Sequence, residues 1–411
     1  MNKGKLLLWS LFISIDFLIA TGVAELWTRI FIPVDNTCYY HDPVMGDRFC
    51  PNQETYGYVE KGYSNIFRSN SQGFHDIERT RQKKENTLRI HIYGDSLTTA
   101  EGVPIEYTIP SLLETYINRK QPSITVEVLN MASAEDSTVS QYLTYKYIGK
   151  YFSPDIVICY FMSDFHDNIF ETHKRTRSPY FEINKNNELI FVPPQPVDET
   201  SIMARIKKSS LLFRLLANKL LESRLYNEAN TLLEQIRFRL NQETTEDNTN
   251  ITDPREARKK VMREKAWPVT LRILQQFQSD VNKDGAHFIL IDGRIITDEF
   301  GGVYQNKNLQ EFCRVNNIPY IPVFQEYEQL RKGKEQKKLF FRDGHPNIDG
   351  NKRLSAIIAE KLIPNLPIQT HPFNSSRTPN EASHFHHRHT TVGNNVIVQN
   401  PHRSSGHLYP Q

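Results

Sequence analysis

The stretch LRIHIYGDSLTTAEGV, residues 88–103, changes from a strand pattern to a helix pattern within a few residues. Apolar residues alternate at Leu88, Ile90 and Ile92, and the alternation stops at the triplet GDS, which ends at Ser96. Turn residues are ordinary at such a junction, and Asp or Ser can cap a helix. A serine between the carboxyl end of a strand and a helix amino terminus is also well placed to be a nucleophile. The triplet alone does not decide between these two interpretations.

Beyond this stretch, strand-like and helix-like segments alternate along the chain. The run DIVICYFM, residues 155–162, is almost continuously apolar, which is typical of a strand that is buried on both faces. The alternation predicts an α/β fold, a three-layer sandwich with a central parallel sheet and helices on both faces. The predicted strands cover residues 88–94, 124–132, 155–162, 286–293 and 318–323, and the predicted helices cover residues 109–118, 137–152, 267–281 and 351–362.

Residues 170–262 interrupt this alternation and are predicted to be a helical insertion between the third and fourth strands. Within them, residues 201–242 have the pattern of an amphipathic helix, and a polar linker follows. Residues 369–411 contain few apolar side chains and are predicted to be disordered. This tail holds the His-rich tract His384–His389, where we expect only nonspecific metal binding, so no metal site is predicted.

The amino-terminal segment differs from the rest of the chain. A basic start, MNKGK, precedes an apolar run from Leu6 to Ala24 that is about long enough to cross a bilayer. The basic residues are expected to stay in the cytoplasm, which places the bulk of the protein outside it, in the periplasm or the extracellular space. A cleaved signal peptide is the alternative, since Gly22 and Ala24 are small residues suited to a cleavage site. We expect residues 1–28 to be an uncleaved single-pass anchor, followed by an irregular, polar lead-in over residues 29–85.

The four cysteines fit this location. Cys38 and Cys50 bracket a short loop that a disulfide bond closes easily outside the cytoplasm. Cys159 and Cys313 lie in apolar patterns and are expected to be buried free thiols. No C-x-x-C pair indicates a zinc site.

Length and charge narrow the class of protein further. The 411 residues suffice for one large domain or two ordinary domains with full apolar cores. Lys plus Arg number 50 against 47 for Asp plus Glu, which gives a net charge of only +3. This balance gives no electrostatic argument for a nucleic-acid partner.

A nucleophilic Ser96 would need a base, a group that orients the base, and donors for an oxyanion. The carboxyl ends of parallel strands meet at one edge of the sheet, so these groups are expected there. His345 is the candidate base, and Asp343, two residues earlier, is the candidate acid that fixes the imidazole tautomer. Gly344 between them allows the loop to turn tightly. Asp349 and Asp164 are the alternative acids.

The chain resembles the SGNH or GDSL hydrolase superfamily, in particular extracytoplasmic members with an amino-terminal membrane segment. The resemblance rests on GDS at Ser96 followed, in the expected order, by D-G-H-x-N-x-x-G over residues 343–350. It covers roughly residues 69–362, and the hydrolase domain is expected over residues 86–368. It implies a flavodoxin-like sandwich in which Ser96, Asp343 and His345 form the catalytic triad.

Two positions depart from the family pattern. Where the second family motif has a glycine whose backbone N–H completes the oxyanion hole, this chain has Glu135. Where the third motif has an asparagine donor, this chain has Ser163, whose side chain is shorter. The predicted oxyanion donors are therefore the N–H groups of Ser96 and Glu135, together with the Ser163 hydroxyl.

These features predict a membrane-anchored serine ester hydrolase, or an O-acyltransferase with the same chemistry, that needs no cofactor. The resemblance implies acyl esters as substrates, acetyl esters in particular, on envelope carbohydrate or lipid. The alternative is a catalytically weak binding or assembly protein of the cell envelope that retains the fold. The sequence does not specify the oligomeric state.

Overall fold

The computed structural model describes residues 3–32, 35–60, 63–162, 167–169, 177–196, 201–221, 260–293 and 302–366. Several predicted features lie outside these ranges, namely Ser163 and Asp164, the second half of the amphipathic segment 201–242 with the linker after it, and the His-rich tail.

The bounds of the strands and helices are as follows. The strands are β1 (Tyr39–Asp42), β2 (Gly46–Phe49), β3 (Glu54–Glu60), β4 (Tyr63–Arg68), β5 (Thr87–Tyr93), β6 (Thr125–Asn130), β7 (Ile156–Phe161), β8 (Tyr180–Ile183), β9 (Leu189–Val192), β10 (His287–Asp292) and β11 (Tyr320–Pro322). The helices are α1 (Lys3–Phe31), α2 (Ser96–Thr99), α3 (Ile109–Lys120), α4 (Thr138–Tyr147), α5 (Ile202–Ser209), α6 (Leu211–Leu221), α7 (Trp267–Lys283), α8 (Gly302–Val315), α9 (Phe324–Lys332), α10 (Gln336–Leu339) and α11 (Ile348–Leu362).

A five-stranded sheet with the order β11-β10-β7-β5-β6 forms the centre of the fold. The pairings of neighbouring strands are all parallel, with Ile92 opposite Ile158 where β5 meets β7. Numbered along the chain, the strands run 2-1-3-4-5 across the sheet, which is the flavodoxin-like order. The predicted parallel sheet and its flavodoxin-like arrangement are therefore confirmed.

Alternation along the strands produces the two outer layers. In β7, Ile156, Ile158 and Tyr160 point into one apolar cluster, whose other members include residues of α3, α9 and α11. Val157 and Phe161 point into the opposite cluster, which is covered by α4, α7 and α8. Because both faces of β7 are buried, its sequence is apolar at successive positions, as the sequence analysis expected.

The lead-in was predicted to be irregular, and this prediction is wrong. It forms two two-stranded sheets, the antiparallel hairpin β1–β2 and the pair β3–β4. A disulfide bond joins Cys38 and Cys50 across the ends of β1 and β2, as predicted, with their Cα atoms 5.4 Å apart. Cys159 and Cys313 are buried free thiols, also as predicted. Strands of four to seven residues carry too little periodicity to be recognised in a polar sequence.

The chain divides into two compact units. The first comprises Met1–Thr37, Thr55–Ile66 and Val197–Pro254, and the second comprises Cys38–Glu54, Phe67–Pro196 and Arg255–Gln411. The parallel sheet belongs to the second unit.

In the first unit, α1 is the element that could cross a membrane. Its segment Leu8–Phe31 is 24 residues long with a mean hydropathy of 1.5, and it lies near the amino terminus. Length and composition of this kind fit a membrane anchor and a signal sequence equally.

The described part of the amphipathic segment contains two helices where one was predicted. The chain breaks at Ser210, between α5 and α6. The carboxylate of Glu25, on α1, accepts hydrogen bonds from the Ser210 hydroxyl and from the N–H groups of Leu211 and Leu212. The amino terminus of α6 is therefore capped by a side chain of α1, a distant partner that sequence periodicity does not reveal.

Candidate active site

Ser96 is the first residue of α2, just beyond the carboxyl end of β5. The preceding Asp95 is the helix cap, and its side chain accepts a hydrogen bond of 2.9 Å from the Leu97 N–H. Ser96 is half-buried, whereas Asp95 and Leu97 are buried. The local sequence thus produces the junction predicted for it, with the serine side chain partly open to solvent.

His345 lies directly against this serine. Its Nε2 atom is 2.8 Å from Ser96 Oγ, although the two residues are 249 positions apart in the chain. His345 belongs to the loop between α10 and α11. The loop turns tightly because Gly344 has φ +91° and the Phe341 N–H donates to the carbonyl oxygen of His345.

Asp343 is the acid that the structure brings to His345. Its Oδ1 accepts a hydrogen bond of 2.9 Å from the His345 backbone N–H, and its Oδ2 lies 3.1 Å from the ring Nδ1. At this distance the carboxylate can pair with a protonated imidazole and favours the tautomer that carries its proton on Nδ1. Both side chains are about two-fifths exposed, at 39% for His345 and 43% for Asp343.

The charges around His345 act in opposite directions on its pKa. Burial lowers the pKa of the imidazole. The Asp343 carboxylate raises it by more, and the Asp95 carboxylate raises it further. Arg331 opposes both carboxylates. The net result is a pKa above the usual value of 6.5, as expected for an imidazole beside a carboxylate.

The rest of the D-G-H-x-N-x-x-G segment fixes the position of this loop. Asn347 caps α11, with its side-chain oxygen 3.0 Å from the Asp349 N–H and 3.1 Å from the Gly350 N–H. Its amide group also donates to the carbonyl oxygen of Lys338. At Gly350, a Cβ atom would overlap the carbonyl oxygen of Leu339, so only glycine allows this approach. The motif thus docks the first turn of α11 onto the segment that precedes His345.

A second anchor, which the sequence analysis missed, holds the loop after β6. Asn130 donates to the carbonyl oxygens of His75 and Thr98, and its own side-chain oxygen accepts from the Ala132 N–H. The buried carboxylate of Asp76 accepts from the Asn130 N–H. The polar run NSQGFHD in the lead-in was the available signal, but nothing in the sequence indicates its partners.

Glu135 lies on that loop in a left-handed conformation, with φ +62°, and is exposed. Left-handed backbone costs an ordinary residue roughly 1–2 kcal/mol, and glycine avoids this cost. The conformation suits glycine better than an ordinary residue, and the backbone N–H that was predicted as a donor is retained. The strain also means that surrounding contacts must hold this loop in place.

The third predicted oxyanion segment is described only in part. Asn168 is fully buried, accepting from the Val139 N–H and donating to the Thr270 hydroxyl, so it secures the end of this segment. Ser163 and Asp164 lie outside the described residues, so the role of Ser163 stays a prediction. Among the residues that the structure describes, no cluster of His, Cys, Asp and Glu could hold a metal ion.

Solved structures similar to this chain are lipases, esterases and related proteins. TesA is 11% identical with a TM-score of 0.36, the match covering 68% of this chain and 99% of that one. A GDSL-like lipase from Parabacteroides merdae is 10% identical with a TM-score of 0.38, covering 69% and 98%. The acetyl xylan esterase AlAXEase is 13% identical with a TM-score of 0.35, covering 66% and 98%.

No protein-family model and no curated relative matches the sequence. Because the identities and TM-scores of the structural neighbours are low, the assignment of a function depends on the geometry of the site itself.

Replacing Asp343 with Asn should lower kcat by up to about 10⁴-fold, because the amide no longer favours the productive tautomer. It should also lower the pKa of His345, since Asp343 is the main group that raises it. The base acts only when neutral, so the acidic limb of kcat/KM should move to lower pH. The measurement is a pH–rate profile on a small acetyl ester. The control is Asp349→Asn, which should leave the profile unchanged, and the reverse pattern would identify Asp349 as the acid.

Replacing Glu135 with Gly should preserve kcat on a neutral acetyl ester, because the N–H group is retained. The free energy of unfolding, measured by urea denaturation, should stay equal or rise by about 1 kcal/mol. The reason is that relief of the left-handed strain exceeds the added entropy cost of glycine. The matched variant Glu135→Ala removes the carboxylate and keeps the strain. A large loss of kcat in both variants would show instead that the carboxylate itself takes part in the reaction.

Proposed function

We propose that this chain is a membrane-anchored serine ester hydrolase of the SGNH type, with Ser96 as its nucleophile. The observation that carries the proposal is the 2.8 Å contact between Ser96 Oγ and His345 Nε2, with Asp343 at the other ring nitrogen. A serine, a histidine and a carboxylate in this order are the groups that nucleophilic acyl transfer requires. These three residues lie at the carboxyl edge of a parallel sheet, and α/β proteins commonly bind ligands at this edge.

In the proposed reaction, His345 removes the proton from Ser96 as the serine oxygen attacks the ester carbonyl. The raised pKa of His345 favours its protonated form after this transfer, and Asp343 stabilises the resulting imidazolium. His345 then protonates the leaving alcohol, which leaves an acyl group on Ser96. Water, or a sugar hydroxyl in the acyltransferase version, takes up the acyl group with His345 again acting as the base.

The negative charge that develops on the carbonyl oxygen would be held by backbone N–H groups. We assign this role to the N–H groups of Ser96 and Glu135, and to the Ser163 hydroxyl on the basis of the sequence. Removal of one such donor costs roughly 10²–10³-fold in kcat in enzymes of this chemistry. A shorter donor at Ser163 would therefore make the reaction slower without abolishing it.

For the substrate, we propose acyl esters, acetyl esters first, carried by carbohydrate or lipid of the cell envelope. This follows from the resemblance to extracytoplasmic SGNH hydrolases and from the membrane location argued next. Among the described residues, the reaction uses no group that requires a metal or an organic cofactor.

The membrane location is supported by the course of α1. The helix continues past the possible cleavage site at Ala24 and ends at Phe31. Beyond that site, Glu25 caps α6 and the Arg29 guanidinium donates to the carbonyl oxygen of Ser209. Both contacts would also be present in a mature protein that begins at Glu25, so what supports the anchor is the 24-residue apolar segment of α1, which is long enough to cross a bilayer. The disulfide between Cys38 and Cys50 is typical of proteins outside the cytoplasm.

A binding or assembly role is the second candidate. It is favoured by Glu135 at the position of the family glycine and by the shorter side chain of Ser163 at the position of the family asparagine. Such a protein would keep the fold and the side chains but turn over esters very slowly.

Labelling with a fluorophosphonate separates the two candidates. In the proposed enzyme, Ser96 becomes covalently modified, because only an activated serine attacks the phosphorus atom at a useful rate. Ser96→Ala and His345→Ala should abolish the labelling, and peptide mapping should find the adduct on Ser96. The control is Ser140→Ala, which changes a buried serine on α4 and should be labelled like the wild type. Labelling that survives Ser96→Ala would refute the assignment.

The anchor and its orientation are tested on protein expressed with its own amino terminus. Whole-protein mass spectrometry should find residues 1–24 retained, and maleimide should alkylate Cys38 and Cys50 only after reduction in the unfolded state. A mature protein that begins at Glu25 would establish a cleaved signal peptide. Free thiols at both positions without reduction would place the protein in a reducing compartment.

A further inference from the structure

A buried ion pair connects the disulfide-closed hairpin to the loop that carries Glu135. Arg48, on β2, places its Nη1 atom 3.1 Å from one carboxylate oxygen of Asp136 and 3.0 Å from the other. The exposed fractions are 4% for Arg48 and 3% for Asp136. Taking two charges out of water costs several kcal/mol per ion, so a pair of this kind is weak support for stability by itself.

Asp136 is well placed to act on the loop backbone. Its N–H donates to the carbonyl oxygen of Ser133 at 3.3 Å. This backbone hydrogen bond ties the start of the loop to its end, and Arg48 holds the side chain of the residue that makes it. Burial raises the pKa of Asp136 to about 6, while Arg48 acts in the opposite direction to keep it charged. Between the tied ends lies Glu135, held at φ +62°.

Contacts other than the one with Asp136 also hold Arg48 in place. It pairs with Tyr40 in the β1–β2 ladder, and the disulfide of Cys38 and Cys50 closes the open end of that hairpin. Its guanidinium also lies over the ring of Phe74, with Cζ 5.4 Å from the ring centroid. A guanidinium that is fixed by its own hairpin loses little further freedom when it binds the carboxylate.

We propose that Arg48 is a positioning residue, which acts through Asp136 to hold the Ser133–Asp136 loop so that the Glu135 N–H faces the acyl carbonyl oxygen. The inference rests on the proposed ester hydrolysis at Ser96. A non-glycine residue stays in a left-handed conformation only where neighbouring contacts impose it, and the Arg48–Asp136 pair supplies such a contact. The β1–β2 hairpin thereby contributes to catalysis, because its Arg48 fixes the loop that carries an oxyanion donor.

The decisive variant removes both charges together. Arg48→Met alone would leave Asp136 buried and unpaired, which risks unfolding, whereas the double variant Arg48→Met/Asp136→Leu replaces the pair with apolar side chains. We expect this protein to fold, with kcat on an acetyl ester reduced about 10–100-fold, within the range for loss of one oxyanion donor, and with KM little changed. Arg48→Lys keeps the charge but loses the planar contact with Phe74, so its kcat should fall between those of the wild type and the double variant.

The control is Arg177→Gln, which breaks an exposed ion pair between the same hairpin, at Asp47, and a different segment. It should leave kcat unchanged. A folded double variant with wild-type kcat would overturn the positioning role.

Amide hydrogen exchange tests the loop without relying on catalysis. The amides of residues 133–136 should exchange faster in the double variant than in the wild type, whereas those of α11 should not. If the wild type neither labels at Ser96 nor hydrolyses esters, the proposed function fails, and faster exchange would still support Arg48 as the residue that holds the loop. Unchanged exchange at these amides would refute that role whatever the activity.

Discussion

The hydrogen bond between Ser96 and His345 joins two residues that are 249 positions apart, and much of the second unit serves to bring them together. The serine follows the strand next to the centre of the sheet, and the histidine precedes the last helix. In a parallel sheet all strand ends of one kind share an edge, so the contact depends on the parallel pairing of the strands and on the crossover connections that make it possible. Anything that shifts α11, such as a side chain at Gly350, would act on this contact first.

Parts of this arrangement could be predicted from the sequence because they depend on local patterns. The β5–α2 junction follows from alternating apolar residues that end in GDS, and the turn at Gly344 follows from a motif of turn residues. The choice of Asp343 as the acid also came from the sequence, and the structure brings this carboxylate to the imidazole. The interior strands were recognisable because burial on both faces leaves continuous apolar runs.

Other parts of the site depend on partners that no local pattern indicates. Arg48 and Asp136 are 88 positions apart, and both are ordinary polar residues in their own neighbourhoods. Asn130 donates from its backbone N–H to the Asp76 carboxylate and from its side chain to the carbonyl oxygen of Thr98. The sequence predicted a strand end for the first of these segments and an irregular lead-in for the second. Short hairpins have few residues on each face, so their pattern is weak even though their contacts are long-range. The missed residues are therefore those that hold the candidate site in shape, while the three residues of the proposed triad were predicted from the sequence.

The cap that Glu25 forms on α6 has a practical meaning for anyone who prepares this protein without its amino-terminal apolar segment. A truncation that begins after Phe31 would remove the acceptor for the amides of Leu211 and Leu212, and loss of a helix cap typically costs about 0.5–2 kcal/mol. A start point just before Glu25 would discard most of the apolar run and keep this cap. The apolar helix thus has two separable parts, a stretch that can be exchanged for another leader and a last turn that belongs to the folded protein.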